Sequence, residues 1–375
     1  MKFEVKNFSE IDEKSIKLYE KMHKIDKNRN LGDILRVEND AFMHYDMVCG
    51  SPPHKELSGG GHKYNPQWHC PKCMRSYNPF TIPIDERGGC PKCKFPSLDK
   101  DEGALIAEFS RAVHNIMPKW AFLETSKGIL SGDVSGTFDM FIDEVSQNGY
   151  NAMFQVLNSK GFGVPQNRER LYIVFVRQDL DNGKFSFPIE KDNGTRIRDI
   201  LDKNYDQILN IDTDFGNKFL LENEHIYDRP PKKEDTYQPI LIGNMCDTKR
   251  KRKPHSGEIY FPYGISPMLP ADLCSRSVKL LWGYHIRSLS FFECCRLMGI
   301  RDSESAPLLG CGISESQILH RVGIGIVVDV VYEIFKNLHD AMPFLFEDMQ
   351  ILSLFSGIGS TELALSRLYK EYINK

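Results

Sequence analysis

Ile351-Leu-Ser-Leu-Phe-Ser-Gly-Ile-Gly-Ser360 reads as a buried strand that runs into a Gly-rich turn. A helix is expected next, because Leu365, Leu368, Tyr369 and Tyr372 stand at i, i+3, i+4 and i+7. Strand, Gly turn and helix N-terminus together form a nucleotide- or cofactor-binding unit, since glycines let a ligand approach the backbone. Such a unit ordinarily opens an α/β domain. Here 15 residues follow Ser360, so its partner strands have to come from earlier in the chain, which implies a circularly permuted domain.

Working outward, residues 1–50 read as β-α-β: a strand over Phe3 to Glu10, a helix over Lys14 to His23 and an apolar strand over Tyr45 to Cys49. Further on, a helix is expected over 103–117, a strand over Trp120 to Glu124 and a helix over Asp139 to Gln147. Val156-Leu157 and Leu171 to Val176 flank a Gly-Val-Pro-Gln turn and predict a hairpin. From 178 to about 285 the chain is rich in Asp, Asn, Pro and Lys with weak periodicity, which predicts a separate small domain. Helices are expected again at 290–298 and 326–338.

Composition excludes several classes. At 375 residues the chain can bury a large α/β core and carry a smaller module. No apolar run reaches the roughly 18 residues of a membrane span, and Met-Lys-Phe-Glu-Val-Lys is no signal peptide, so an intracellular protein with no membrane partner is expected. A formal charge of −3 gives no global signal for nucleic acid. Any such contact has to use local patches, the densest being Lys249-Arg-Lys-Arg-Lys253 beside Arg229-Pro-Pro-Lys-Lys233.

Cys70-Pro-Lys-Cys73 and Cys90-Pro-Lys-Cys93 are separated by 16 residues. Four thiolates at that spacing close a tetrahedral Zn2+ site, and each two-residue loop can turn backbone N–H groups toward sulfur. Four protein ligands leave no open position for substrate, so a structural zinc is expected. A segment of Gly- and Pro-rich residues of this size needs such a staple to hold a fold.

Read in circular order, the remaining motifs resemble the cytosine-C5 DNA methyltransferases. Leu354-Phe-Ser-Gly-Ile-Gly359 looks like the family's first motif, which implies Phe355, Ser356, Gly357 and Gly359 in binding S-adenosylmethionine. Phe8-Ser-Glu-Ile-Asp12 looks like the second, placing Glu10 at the ribose hydroxyls with Ile11 beside it. Asn30-Leu-Gly-Asp-Ile34 looks like the third, placing Asp33 at the adenine amino group and Ile34 beside the ring. Asp46 to Ser58 aligns with the catalytic-loop motif, Phe122 to Gly128 with the motif that carries the catalytic Glu, and Gly163-Val-Pro-Gln-Asn-Arg-Glu-Arg-Leu-Tyr-Ile173 with the Gln-x-Arg-x-Arg strand. Arg287 to Gly299 resembles the ninth motif and Gln317 to Val328 the tenth.

The resemblance implies an α/β fold: a Rossmann-like methyltransferase sheet, circularly permuted, with a zinc-ribbon insert and a small target-recognition domain. The catalytic domain would comprise 1–59, 99–177 and 286–375, with the zinc ribbon at 60–98 and target recognition at 178–285. The substrate implied is double-stranded DNA, bound by a monomer of prokaryotic or phage type, in the manner of a modification methylase. The family extrudes cytosine from the duplex, adds a Cys thiolate to carbon 6, and uses a Glu at ring nitrogen 3. By resemblance Glu124 is that acid, Arg170 holds the base carbonyl oxygen, and Arg168 supports the loop or a phosphate.

The nucleophile position holds His54, where the family has Cys. A thiolate is soft and strongly nucleophilic near neutral pH, whereas a neutral imidazole adds far more weakly. Glu124 is also followed by Thr125-Ser126 rather than Asn-Val, and Gly323-Ile-Gly325 replaces Gly-Asn-Ser. Three readings stay open: an active methyltransferase, a silent relative that binds DNA, and a variant of an active parent. Methylation of RNA or of a small molecule, and a DNA-binding role without catalysis, are the alternatives from other classes.

Overall fold

The computed structural model describes residues 3–53, 67–87, 89–95, 98–100, 105–131, 135–204, 237–244, 257–269, 278–282 and 285–373. His54 and the basic runs at 229–233 and 249–253 lie outside them. In chain order the first elements are β1 (Phe3–Ser9), α1 (Glu13–His23) and β2 (Met47–Gly50). After the cysteine module with β3 (Trp68–His69), β4 (Ser76–Tyr77) and β5 (Asp99–Lys100) come α2 (Leu105–Ile116), β6 (Trp120–Thr125), α3 (Ser135–Gln147), β7 (Tyr150–Asn158) and β8 (Glu169–Arg177). The second half holds β9 (Leu241–Asn244), β10 (Glu258–Tyr260), β11 (Lys279–Trp282), β12 (His285–Ser288), α4 (Phe291–Arg296), α5 (Glu315–Ile324), α6 (Val328–Ala341), β13 (Met349–Leu354) and α7 (Ser360–Leu368).

Six strands form the main sheet in the order β1-β13-β2-β6-β8-β7. The last strand of the chain thus lies between the first two. β1, β13, β2 and β6 run parallel, and β8 is antiparallel to both its neighbours. The parallel strands are near-continuous apolar runs because both faces are covered; every residue of β2 and β6 is buried. Along β6 the faces alternate. Trp120 and Phe122 meet Phe335 of α6 edge-on, at 5.2 and 4.9 Å between ring centroids. Ala121 and Leu123 face the other way, into the cluster of Phe109, Phe141 and Phe175. Each such ring contributes roughly 1.5–3 kcal/mol by leaving water.

Several elements differ from the sequence expectation. The hairpin is longer, with β7 and β8 paired over nine residues from Tyr150↔Arg177 to Asn158↔Glu169. Helix α5 was not expected; its apolar positions Ile318, Leu319 and Val322 are buried ahead of Gly323 and Gly325, which obscure its end. The terminal helix buries Leu365, Leu368 and Tyr369, but from Tyr369 to Ile373 the turn widens to a π-helix. That rotation leaves Tyr372 43% exposed, outside the stripe expected of it.

The expected small domain contributes β9, β10 and β11 to a four-stranded sheet, β12-β11-β10-β9. Its end is not a border in packing, since β12 crosses residue 285, and Phe185 and Ile197 belong to the main core. A buried ion pair at 2.6 Å, Arg287 to Glu293, ties this sheet to α4, and Glu293 also accepts the Ser290 N–H as a capping box. Gln166 accepts the Leu269 N–H at 2.9 Å and donates to the Leu297 carbonyl, joining the hairpin turn to both. No described helix is long and apolar enough to cross a membrane.

Candidate active site

The strand register builds the site. Ser9 pairs with Leu354, Leu354 with Gly50, and Gly50 with Leu123, so four parallel strands end level. The next residue of each, Glu10, Phe355, Ser51 and Glu124, therefore lines one edge. Ligands of open α/β sheets bind outside the carboxyl ends of the strands.

Phe355 adopts φ 51°, Gly357 φ 54° and Gly359 φ 79°. A left-handed Phe is unusual and marks a turn held by its surroundings. The two glycines differ in purpose. A Cβ on Gly357 would meet nothing within 4 Å, so that backbone faces open space. A Cβ on Gly359 would lie 2.1 Å from His23 Nε2 and 2.8 Å from Tyr19 Cε2. Gly359 is thus required by α1, whose His23 Nε2–H donates to the Ile358 carbonyl at 2.9 Å. Burial lowers the pKa of His23 below the ordinary imidazole value, which keeps the ring neutral. Gly359→Ala is expected to destabilise the protein by about 2–4 kcal/mol through overpacking and the left-handed φ. An unchanged thermal unfolding midpoint would contradict this wedge.

Glu10 closes the loop from the other side. Its Oε2 accepts the Gly357 N–H at 2.9 Å, and its Oε1 accepts the Ile11 and Asp12 N–H groups, both at 2.9 Å. Asn30, which sequence reading did not single out, accepts from the N–H groups of Glu10 at 3.1 Å and Gly32 at 3.0 Å, and donates to the Glu10 carbonyl. It brings the turn carrying Asp33 beside β1; the signal was an Asn two residues ahead of a Gly. Asp33 caps a short turn by accepting the Leu35 N–H at 3.0 Å. Ile34, expected beside the cofactor's ring, is 3% exposed and packed in the core. Ile11 is 71% exposed and offers the apolar surface instead. Ser356 Oγ is buried with no hydrogen-bond partner among the described residues. Behind this strap, Asp12 caps α1 and takes two hydrogen bonds from Arg321, at 2.6 and 2.9 Å, which hold its carboxyl well below the usual range.

On the far side of the edge, Glu124 is 1% exposed. Its Oε2 accepts from Ser51 Oγ at 2.6 Å, and its Oε1 lies 3.2 Å from Arg170 Nε. That contact is an ion pair, and Oε1 accepts no hydrogen bond among the described residues. Arg170 reaches it because Leu171 pairs with Thr125 across β6 and β8. Ser51 was not foreseen; it is the first residue beyond a strand that ends level with β6. Arg168 does not join this group. It is 3% exposed and donates to the carbonyls of Gly323 at 3.0 Å and Gly325 at 2.7 Å. Of the two roles expected for it, holding a loop fits this place and meeting a phosphate does not. Cys49 cannot stand in as nucleophile: it is 1% exposed inside β2, and burial, with Glu362 nearby, pushes its thiol well above the ordinary value.

Cys70, Cys73, Cys90 and Cys93 converge, with all four sulfurs within 4.8 Å of one another. Cys70–Cys93 and Cys73–Cys90 are 3.5 and 3.7 Å apart. The edge of a tetrahedron with Zn–S bonds of about 2.3 Å is about 3.8 Å. The N–H groups of Cys73 and Cys93 point at the sulfurs of Cys70 and Cys90, at 3.5 and 3.4 Å.

Comparison with known proteins agrees with this architecture. A family model described as C-5 cytosine-specific DNA methylase matches residues 96–340. The orphan methyltransferase M.SPBetaI of Bacillus phage SPbeta is 26% identical over 417 residues, covering 90% of this chain and 92% of that protein. The type II methyltransferase M.HhaI of Haemophilus parahaemolyticus is 25% identical over 318 residues, covering 84% and 81%. Among solved structures, the S. pombe Dnmt2 methyltransferase has a TM-score of 0.55 at 15% identity, covering 89% of this chain and 90% of that one. The Entamoeba histolytica methyltransferase EhMeth has a TM-score of 0.53 at 12% identity, covering 89% of each. These two show a shared fold, and the family model spans well over half the chain. The chain belongs to the C-5 cytosine-specific DNA methylase family of enzymes.

Proposed function

We propose that this chain is built to methylate carbon 5 of cytosine in duplex DNA, in the manner of a modification methylase acting as a monomer in a bacterial or phage setting. The observation that carries this reading is Glu124: a buried carboxylate at the same sheet edge as the glycine loop, oriented by Ser51 and Arg170, with one oxygen that accepts no hydrogen bond among the described residues. The residues present fit S-adenosylmethionine. Gly357 opens onto free space, Glu10 and Asp33 supply carboxylates, Ile11 supplies an apolar face, and Ser356 Oγ awaits a partner. When bound, that cofactor supplies a methyl group on a positively charged sulfur. Phe355, Ser356, Gly357 and Gly359 shape its loop.

The chain's own residues treat the base. An extruded cytosine would present ring nitrogen 3 to Glu124, which gives it a proton or hydrogen bond so that charge can build at carbon 5. Arg170 holds the carbonyl oxygen of the base and keeps Glu124 in place. Arg168 acts as a positioning residue, fixing the turn at Gly323 to Gly325. A nucleophile at position 54 must add to carbon 6. With His54 there, the chain performs that step poorly, and the second reading, a silent relative that binds DNA, rests on this residue alone. Transfer of labelled methyl to duplex DNA by this chain and by its His54→Cys form separates the two.

The order β1-β13-β2 supports a circularly permuted catalytic domain, with the first motif moved behind the tenth. The family match ends at residue 340, ahead of β13, which agrees with that order. The segments 1–59, 99–177 and 286–375 then form one catalytic domain, with 178–285 for target recognition. The insert at 60–98 is a zinc ribbon whose Zn2+ is structural. It is anchored by Arg87, which forms a bidentate pair with Glu144 of α3, while Ser110 of α2 donates to the same carboxylate at 2.5 Å. Stripping the metal with a chelator is expected to release one zinc per chain and lower the unfolding midpoint, because structural zinc contributes its binding energy to folding. A chelator-treated protein with an unchanged midpoint would contradict the structural role.

A further inference from the structure

We propose that the tip of the cysteine module is a second DNA-contact surface, which grips phosphate backbone away from the base site. This rests on the reading of the chain as a DNA methylase. The two knuckles have one conformation: Met74 and Lys94 both adopt φ 55°, and their N–H groups close onto the carbonyls of Cys70 and Cys90 at 2.9 and 3.0 Å. Each knuckle therefore presents a Lys at the same place, Lys72 and Lys92, followed by Met74-Arg75 in one and Lys94 in the other. Lys72, Arg75, Lys92 and Lys94 are exposed, and their side chains make no ion pair or hydrogen bond among the described residues.

The module is also polar in charge. Residues 67–100 hold six Lys and Arg against three Asp and Glu, in a chain whose formal charge is −3. One acid of the module, Asp85, lies 3.3 Å from His114 of α2, and Arg87 docks on α3. The two knuckles thus carry four cations with no acid partner among the described residues, and Met74 is 84% exposed. A rigidly docked cluster of unpaired cations suits a polyanion with regularly spaced charge, and the substrate is one.

The test replaces all four cations, Lys72→Ser, Arg75→Ser, Lys92→Ser and Lys94→Ser, and measures binding of a short fluorescein-labelled duplex of mixed sequence across a salt series. The expected result is about tenfold weaker binding at physiological salt and a salt dependence flattened by about 2–4 in log–log slope. Zinc content and S-adenosylmethionine binding should stay at the values of the unsubstituted chain. As a second measurement, a photo-crosslinking phenylalanine at position 74, in the otherwise unsubstituted protein, should attach to the duplex on irradiation. Equal affinity and slope with zinc retained, or no crosslink, would overturn the proposal and leave the methylase reading standing. Failure of the unsubstituted chain to bind any duplex would overturn both.

Discussion

His54→Cys is expected to raise the rate of methyl transfer to duplex DNA by on the order of a hundredfold or more, within the range that removal of a nucleophile costs in other enzymes. Carbon 5 of cytosine acquires electron density when a nucleophile adds at carbon 6, and a thiolate does this far better than imidazole. Among the described residues no cysteine at the site can compensate. Cys49, five residues upstream, is sealed inside β2 with its thiol pushed up by burial. Cofactor affinity should be the same in both forms, because Glu10, Gly357 and their partners lie on other strands. Equal rates for the two forms, measured with labelled cofactor, would mean that position 54 does not supply the nucleophile.

The second large effect is expected from Glu124→Gln, made in the His54→Cys background so that there is activity to lose. The amide keeps the shape and can still meet Ser51, but it can neither donate a carboxyl proton nor balance Arg170. Loss of general acid catalysis lowers turnover by about 10² to 10⁴. The Michaelis constant for the cofactor should change little, which distinguishes a chemical defect from a collapsed site. A loss of less than about threefold, well below that expected for general acid catalysis, would remove Glu124 from the chemistry.

How much of this was legible beforehand depended on whether a feature is local. The strands at 47–50, 120–125 and 349–354 could be read because strands buried on both faces are continuous apolar runs. The glycine loop was readable from residue type, since Phe355 to Gly359 need conformations few sequences allow. The cysteine cluster followed from spacing alone. What failed was the direction of side chains set by distant neighbours. Arg168 and Arg170 look equivalent in sequence, yet one faces the carbonyls of Gly323 and Gly325 and the other faces Glu124. Ile34 and Ile11 both follow an acid, yet one is buried and the other exposed. Gly359 reads as a ligand contact, and the packing of His23 against it was not legible.

The register of the sheet carries the functional argument. Ser9, Leu354, Gly50 and Leu123 stand level, so residues from opposite ends of the chain meet on one edge. The arrangement predicts one product from that edge. Duplex DNA incubated with the His54→Cys form and S-adenosylmethionine, then read at base resolution, should carry 5-methylcytosine at a defined sequence. Methyl groups found on adenine or on the cytosine amino nitrogen, or no methylated base at all, would contradict the account.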